Sequence, residues 1–173
     1  MDRELWDAGY YPGNSTAVKE ILRKNPSLNI NWSNTMWSNT SHLHQACERG
    51  FSESVSILLA HPDIDVNLKD VNGWTPFMYA CSHYRSSCVR VLLGDARVRP
   101  NEPNKYGSTP LRLAADGRLE VIKWWIASGR EMDFGKPDDW KTMPSERPRG
   151  KDRPKWPRCW RESKVIPPRP GLR

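Results

Sequence analysis

The sequence predicts an all-α solenoid of short, stacked helix-turn-helix units joined by hairpin loops, and two observations support it. Residues 69–81 recur as residues 103–115, at a constant offset of 34 positions. A second pattern, ending in an apolar pair, recurs at 55–59, 89–93 and 122–126. Repeats of this length indicate supersecondary units that bury an apolar face only by stacking on their neighbours.

Taken in chain order, residues 1–31 are predicted to form a degenerate amino-terminal capping repeat. Its helix turns Lys19, Glu20, Arg23 and Lys24 to water, as the end of a solenoid requires. Three full units follow, at about 32–67, 68–101 and 102–135. The segment 32–40 in the first of these is longer than a standard hairpin and lacks Gly-x-Thr-Pro, so we expect an irregular loop there.

Each full unit carries its own turn and helix-start signals. Gly73 and Gly107 can adopt a left-handed turn conformation without a Cβ penalty. The Thr-Pro pair that follows each glycine places a capping hydroxyl before a proline at the first helical position. The small residues Ala46, Ala80 and Ala114 allow successive first helices to approach closely.

The third unit departs from this pattern by one residue. Leu93 and Ile126 are 33 positions apart rather than 34, so the turn between its two helices is shortened at Asp116 and Gly117. We therefore expect strain in the last full repeat.

The combination Gly-x-Thr-Pro-Leu/Phe-x-x-Ala-Ala/Cys, followed by Val-x-x-Leu-Leu, resembles the ankyrin-repeat family over about residues 15–135. The resemblance implies a monomeric, non-catalytic module that binds another protein on its concave face. It also implies that His44 forms a hydrogen bond to neighbouring backbone.

Carried over position by position, the resemblance implies a partner-binding surface of hairpin tips and exposed inner-helix edges. We expect Trp74 and Tyr106 to be its anchors, because large aromatic side chains dominate interface energetics. The alternative for Trp74 is packing on the neighbouring hairpin. The candidate residues are Glu48, Arg49, Lys69, Val71, Asn72, Trp74, Ser82, His83, Lys105, Tyr106, Ser108 and Asp116.

The sequence offers no set of residues for catalysis, a cofactor or a small-molecule substrate. It contains no Gly-rich phosphate loop, His-Glu-x-x-His or Gly-x-Ser-x-Gly motif. A metal site at His42 and His44 would need a further ligand at suitable spacing, and none is present. The four cysteines, Cys47, Cys81, Cys88 and Cys159, form no Cys-x-x-Cys pair and are expected to be reduced thiols.

The tail, residues 136–173, differs in composition from the rest. It holds 12 Lys and Arg, 5 Asp and Glu and 8 of the 15 prolines, whereas residues 1–135 have no net charge. This density of proline predicts a disordered tail. Contact with nucleic acid through the basic tail is an alternative function, although charge runs are usually only solvated. A decayed or truncated repeat protein with no selected partner is the other alternative.

The tail also suggests a hypothesis about its origin. Codons that are compatible with residues 151–164 can be read in another frame, which one G inserted after the codon of Thr142 would restore. In that frame they can encode the Val-x-x-Leu-Leu spacing of an outer helix. The tail would then be a frameshifted capping helix. In that case the third repeat lacks a cap, which would leave Trp124, Trp125 and Ile126 partly uncovered.

The sequence shows neither a secretory leader nor a membrane-spanning stretch, so we expect an intracellular, cytoplasmic protein. The basic tail leaves a nuclear location open.

Overall fold

A computed structural model describes residues 15–115 and 119–133 of the chain. Its helices are α1 Ser15–Lys24, α2 His42–Arg49, α3 Ser52–Leu59, α4 Pro76–Ser82, α5 Ser86–Leu93, α6 Pro110–Ala115 and α7 Leu119–Ser128. Two short strands, β1 Ser33–Asn34 and β2 Thr40–Ser41, pair antiparallel ahead of α2. The mainly helical solenoid predicted from the sequence is confirmed.

The inner helices begin where the sequence places their caps. The hydroxyl of Thr75 accepts a hydrogen bond from the backbone N–H of Met78 at 3.3 Å, and Pro76 occupies the first turn. The hydroxyl of Thr109 accepts from the N–H of Arg112 at 3.4 Å in the same way. Each hydroxyl therefore satisfies one backbone donor that has no partner inside its helix.

The hairpins turn at the predicted glycines. Gly73 and Gly107 have φ angles of 78° and 74°, which favour glycine. A Cβ atom on Gly73 would also lie 2.9 Å from the backbone nitrogen of Lys105. The close approach of the third hairpin to the second therefore requires glycine at this position.

Two layers of helices form the core. The inner helices α2, α4 and α6 pack in one row, and the outer helices α1, α3, α5 and α7 pack in a second row behind them. Ala46, Ala80 and Ala114 are fully buried in the inner row, as predicted. Leu58 and Leu92 fill the layer beneath the outer row.

The first hairpin is irregular, as its sequence predicts. Between β1 and β2 the chain forms a 3-10 turn at Thr35–Trp37, and Ser38 and Asn39 have φ angles of 56° and 57°. Two consecutive left-handed residues that are not glycine are costly. The first hairpin therefore differs from the tight glycine turns of the other two.

An asparagine at the end of the capping repeat, and at the end of each of the first two full units, joins that unit to the next one. The side chain of Asn31 donates to the carbonyl of Asp63 and accepts from the N–H of Asp65, at 2.7 and 2.8 Å. Asn67 binds Arg97 and Arg99 in the same manner, and Asn101 binds Glu131 and Asp133. We call these three pairs of bonds the asparagine clamps.

The asparagine clamps show how the third unit absorbs its missing residue. Asn67 and Asn101 reach partners 30 and 32 positions further along, so the register is the same in both units. The residue lost near position 116 is therefore regained before Glu131. Gly129, which follows α7 with a φ angle of 66°, lies in the lengthened connection.

The aromatic residues of α7 correct one expectation. Trp125 is fully buried, because its ring packs edge-on against Phe77 at 5.1 Å and its Nε1–H donates to the carbonyl of Glu131. Trp124 and Ile126 are exposed, and the guanidinium of Arg90 lies 5.1 Å from the Trp124 ring.

Several sequence expectations fall on residues 1–14, 116–118 and 134–173, which lie outside the described residues. They include the position of Asp116, the disordered tail, its frameshift origin and the state of Cys159. Within the described ranges, none of the helices is both long and apolar enough to cross a bilayer.

Candidate functional site

The middle hairpin is organised by a buried carboxylate. One oxygen of Asp70 accepts from the backbone N–H groups of Asn72 and Trp74, each at 2.8 Å. The other accepts from the Tyr79 hydroxyl at 2.9 Å. Burial, followed by the charge of Asp70, raises the pKa of Tyr79 well above its usual range, so its hydroxyl remains a donor. These three bonds fix the hairpin to its own inner helix.

The third hairpin has the same turn with an amide in place of the carboxylate. Asn104 accepts from the backbone N–H groups of Tyr106 and Ser108, at 2.9 and 3.0 Å. Lys105 and Tyr106 at the tip of this hairpin occupy the repeat positions of Val71 and Asn72 on the middle one. In both hairpins, one side-chain oxygen therefore holds the turn by accepting from two backbone N–H groups.

The tips of the three hairpins are joined by hydrogen bonds. The N–H of Val71 donates to the carbonyl of Ser38, and the N–H of Lys105 donates to the carbonyl of Asn72, both at 3.0 Å. The Tyr106 hydroxyl also donates to the side-chain oxygen of Asn72 at 3.2 Å. The tips thus form one continuous, connected surface rather than three independent loops.

Several predicted binding residues lie on this surface. Val71 and Tyr106 are 42% and 41% exposed, and Lys69 and Lys105 are exposed as well. Asn72 is only partly exposed, since its side chain and carbonyl bind the third hairpin.

Trp74 lies only partly on the surface, and its ring contact is with its own inner helix rather than with the neighbouring hairpin considered as the alternative. It is half-buried, and its ring lies 5.4 Å from the Tyr79 ring, so it packs against its own inner helix. Its remaining exposed part adds to the surface beside the hairpin.

The carboxyl ends of the inner helices α2 and α4 lie next to each other. The Nε2 atom of His83 is 3.8 Å from a carboxylate oxygen of Glu48, and the His83 ring stacks on Tyr79 at 6.1 Å. Ser82 is partly exposed and its hydroxyl lies 3.0 Å from His83 Nδ1. Arg49 is exposed at the last turn of α2. We call the hairpin tips together with these helix ends the tip face.

The structure corrects one candidate. Ser108 is completely buried, because the turn that Asn104 organises points its side chain into the protein. It therefore does not belong to the tip face. The repeat alignment predicted an exposed Ser108 because this residue occupies the repeat position of Trp74. The larger ring of Trp74 reaches the surface, whereas the serine side chain does not.

Two residues of the tip face were missed by the sequence reasoning. Met36 and Trp37, at the tip of the first hairpin, are 90% and 54% exposed. Two features of the sequence could have indicated their exposure: the unusual length of segment 32–40 and the apolar pair at its centre. They were overlooked because this hairpin lacks the motif that marked the other two.

Behind the tip face lie two buried histidines. Burial lowers the pKa of His42 and His44 from 6.5 to about 4, so both are neutral near pH 7. The Nδ1 atom of His44 accepts from the N–H of Ser41, which leaves Nε2–H to donate to the carbonyl of Trp74 at 3.1 Å. This bond from His44 to neighbouring backbone confirms the expected role.

His42 has no such role. Neither of its ring nitrogens has a hydrogen-bond partner among the residues that the structure describes. No group of three or more potential ligands for a metal ion occurs within the described ranges.

Three of the four cysteines are buried free thiols, as expected: Cys47, Cys81 and Cys88. Burial raises the pKa of all three thiols, that of Cys88 to about 11. Protonated thiols of this kind are poor nucleophiles, so these residues act as small core side chains.

Comparison with known proteins gives the family. The model for ankyrin repeats matches in overlapping segments, 5–102 and 43–136, with three copies. Among curated proteins, the chain is 34% identical to the SMC5-SMC6 complex localization factor protein 1 of Bos taurus over 107 residues, which are 60% of this chain and 10% of that protein.

Two further relatives differ in kind. The ankyrin repeat protein YahD of Escherichia coli is 34% identical over 119 residues, 66% of this chain and 57% of YahD. The human transient receptor potential cation channel subfamily A member 1 is 31% identical over 121 residues, 69% of this chain and 10% of the channel. This chain thus spans less than two thirds of each of these relatives. Its matching repeats, which cover most of its length, show that it belongs to the ankyrin-repeat family.

Proposed function

We propose that this chain is a non-catalytic module that binds another protein through the tip face. Ankyrin repeats are in general protein-interaction modules rather than enzymes. The named relatives include a localization factor and an ion channel, so a shared recognition role explains the common segment better than a shared reaction does.

The observation that carries the proposal is a row of large apolar side chains exposed on rigid backbone. Met36, Trp37, Val71 and Tyr106 are all more than 40% exposed, and hydrogen bonds join the three hairpins that hold them. A partner that covers these side chains gains apolar burial. It does so at a small entropic cost, because the hairpins are already ordered.

An affinity-capture experiment with the full chain tests the proposal. The tip variant Trp37→Ser/Tyr106→Ser is compared with wild type and with Ile126→Ser, which removes an exposed apolar side chain from α7, outside the tip face. We expect quantitative mass spectrometry to find proteins retained by wild type and by the control but reduced at least tenfold with the tip variant.

Circular dichroism of each variant provides the folding control. If all three chains melt cooperatively at similar temperatures and no captured protein depends on the tip residues, the proposal is wrong. A wild-type chain that shows no cooperative transition would instead support a decayed repeat protein.

A further inference from the structure

The carboxylates on the tip face are already engaged by groups of the protein. Asp70 is 5% exposed, and both of its oxygens accept hydrogen bonds. Glu102 lies 3.2 Å from Lys69 and 3.0 Å from Arg99, so two cations share one carboxylate. Among the described residues of the tip face, this leaves Glu48 beside His83 as the more available anion.

One cation of the tip face, Lys105, is more available to a ligand. Lys105 is exposed and forms no ion pair within the described part of the chain. Its backbone is fixed against Asn72, and its neighbour Tyr106 is bound to the same asparagine. Lys69 is held near Glu102 on the adjacent hairpin. A cation on fixed backbone, beside an exposed aromatic ring, favours a partner that carries a carboxylate next to an apolar side chain.

The apolar end of the tip face lies at the first hairpin. Met36 and Trp37 stand on a 3-10 turn followed by two left-handed residues, and segment 32–41 contains no charged residue. An exposed Met-Trp pair on strained backbone favours an apolar partner, since strained conformations concentrate at functional sites. Apolar and cationic parts therefore occupy different hairpins of one surface.

We propose that the partner is an acidic protein segment that packs a large apolar side chain on Met36 and Trp37 and directs carboxylates to Lys69 and Lys105. This inference rests on the proposed function and specifies its ligand. The segment runs across the hairpin tips, from the uncharged first hairpin to the cationic second and third. Opposite charge then determines the partner's orientation on the surface.

The first test selects binders for the full chain from a random 12-residue peptide library displayed on phage. We expect the enriched peptides to combine Asp or Glu with at least one of Trp, Phe, Leu or Ile. Their affinity, measured by fluorescence anisotropy, should weaken with added salt, because ion pairs at the surface are screened.

Variants then locate the binding. Lys69→Glu/Lys105→Glu and Met36→Ser/Trp37→Ser should each weaken binding at least tenfold. Lys123→Glu, which reverses an exposed cation on α7, should leave it within twofold. Lys69→Ala/Lys105→Ala serves in place of the charge reversal if that variant melts earlier than wild type.

Each outcome separates the inference from the proposed function. Enriched peptides that are neutral or basic, but still depend on Met36 and Trp37, would overturn the acidic partner and leave the binding face standing. Peptides that depend on neither pair would overturn both proposals. A 20-nucleotide single-stranded DNA that binds as tightly, through Lys69 and Lys105, would assign the cations to nucleic acid and overturn the inference.

Discussion

The interface between the first and second repeats and the interface between the second and third repeats use the same apolar plan with different polar contacts. At the first, His44 donates to the carbonyl of Trp74, and within the second repeat Asp70 accepts from the Tyr79 hydroxyl. At the second, the corresponding positions hold Met78, Asn104 and Leu113. Neither Met78 nor Leu113 can donate a hydrogen bond, so neither contact recurs one repeat later.

Among the described residues, buried polar atoms without a hydrogen-bond partner occur in the first repeat, at the ring nitrogens of His42, and in the third repeat. The side-chain nitrogen of Asn104 and the hydroxyl of Ser108 are buried and have no hydrogen-bond partner among the described residues. An unsatisfied buried polar group lowers stability. The apolar core is buried at both interfaces. Apolar stacking is therefore common to the two junctions, while their side-chain polar contacts differ.

Acid should destabilise the first repeat most, because its inner helix carries two buried histidines, His42 and His44. Their pKa values are lowered from 6.5 to about 4, so folding favours the neutral rings. The resulting stability is complete above pH 6.5 and is lost as the pH falls from 6.5 through 4. By linkage, each histidine contributes about 3 kcal/mol to this loss. Urea denaturation followed by circular dichroism at pH 7, 6, 5 and 4 measures it.

His42→Pro is the matched variant for this prediction. Pro76 and Pro110 occupy the corresponding first helical positions, and the preceding residue, Ser41, is already extended, as a residue before proline must be. The variant should lose roughly half of the acid sensitivity. An unfolding free energy that stays constant between pH 7 and pH 5 in wild type would contradict the assignment.

Removing the side chain that organises each hairpin should have unequal effects. Asp70→Ala leaves two backbone N–H groups and the Tyr79 hydroxyl without their acceptor, so we expect a loss of about 3 kcal/mol. Asn104→Ala removes an acceptor for two N–H groups but also its own unsatisfied amide, so we expect about 1 kcal/mol. Equal losses in thermal or urea denaturation would show that the two side chains stabilise their hairpins to the same extent.

Grafting the missing donor should strengthen the second interface slightly. In Met78→His, the new ring stands at the repeat position of His44, where it can donate to the carbonyl of Ser108 as His44 does to Trp74. We expect a gain of about 1 kcal/mol at pH 7 together with new acid sensitivity. Met78→Leu, which keeps the apolar packing without a donor, is the control. A Met78→His chain less stable than this control at pH 7 would rule out the transferred bond.

The repeat fold could be predicted because its signals are local and recur. Gly73, Gly107 and the Thr-Pro helix starts specify backbone conformations on their own, and the spacing of 34 residues places them in register. The burial of Trp125 could not be predicted in this way. It depends on a ring contact with Phe77, three helices earlier in the chain, and on the carbonyl of Glu131.

The tip face was only partly predictable, because side-chain exposure depends on the size of the residue and on the length of its loop. Val71 and Tyr106 follow the repeat pattern and lie on the surface. Ser108 occupies the same repeat position as Trp74 but is too short to leave the core. Met36 and Trp37 belong to the hairpin that departs from the pattern, so aligning the repeats gave no position from which to infer them.

The asparagine clamps bind only main-chain groups of the neighbouring unit, and this has a consequence for how such a chain can diverge. A carbonyl and an N–H are present whichever side chain the neighbour carries, so Asp63, Arg97 and Glu131 serve equally well as partners. Mutations can therefore alter surface residues of one repeat without loosening its junction with the next. Selection for new recognition can act on the hairpin tips while the stacking geometry is inherited unchanged.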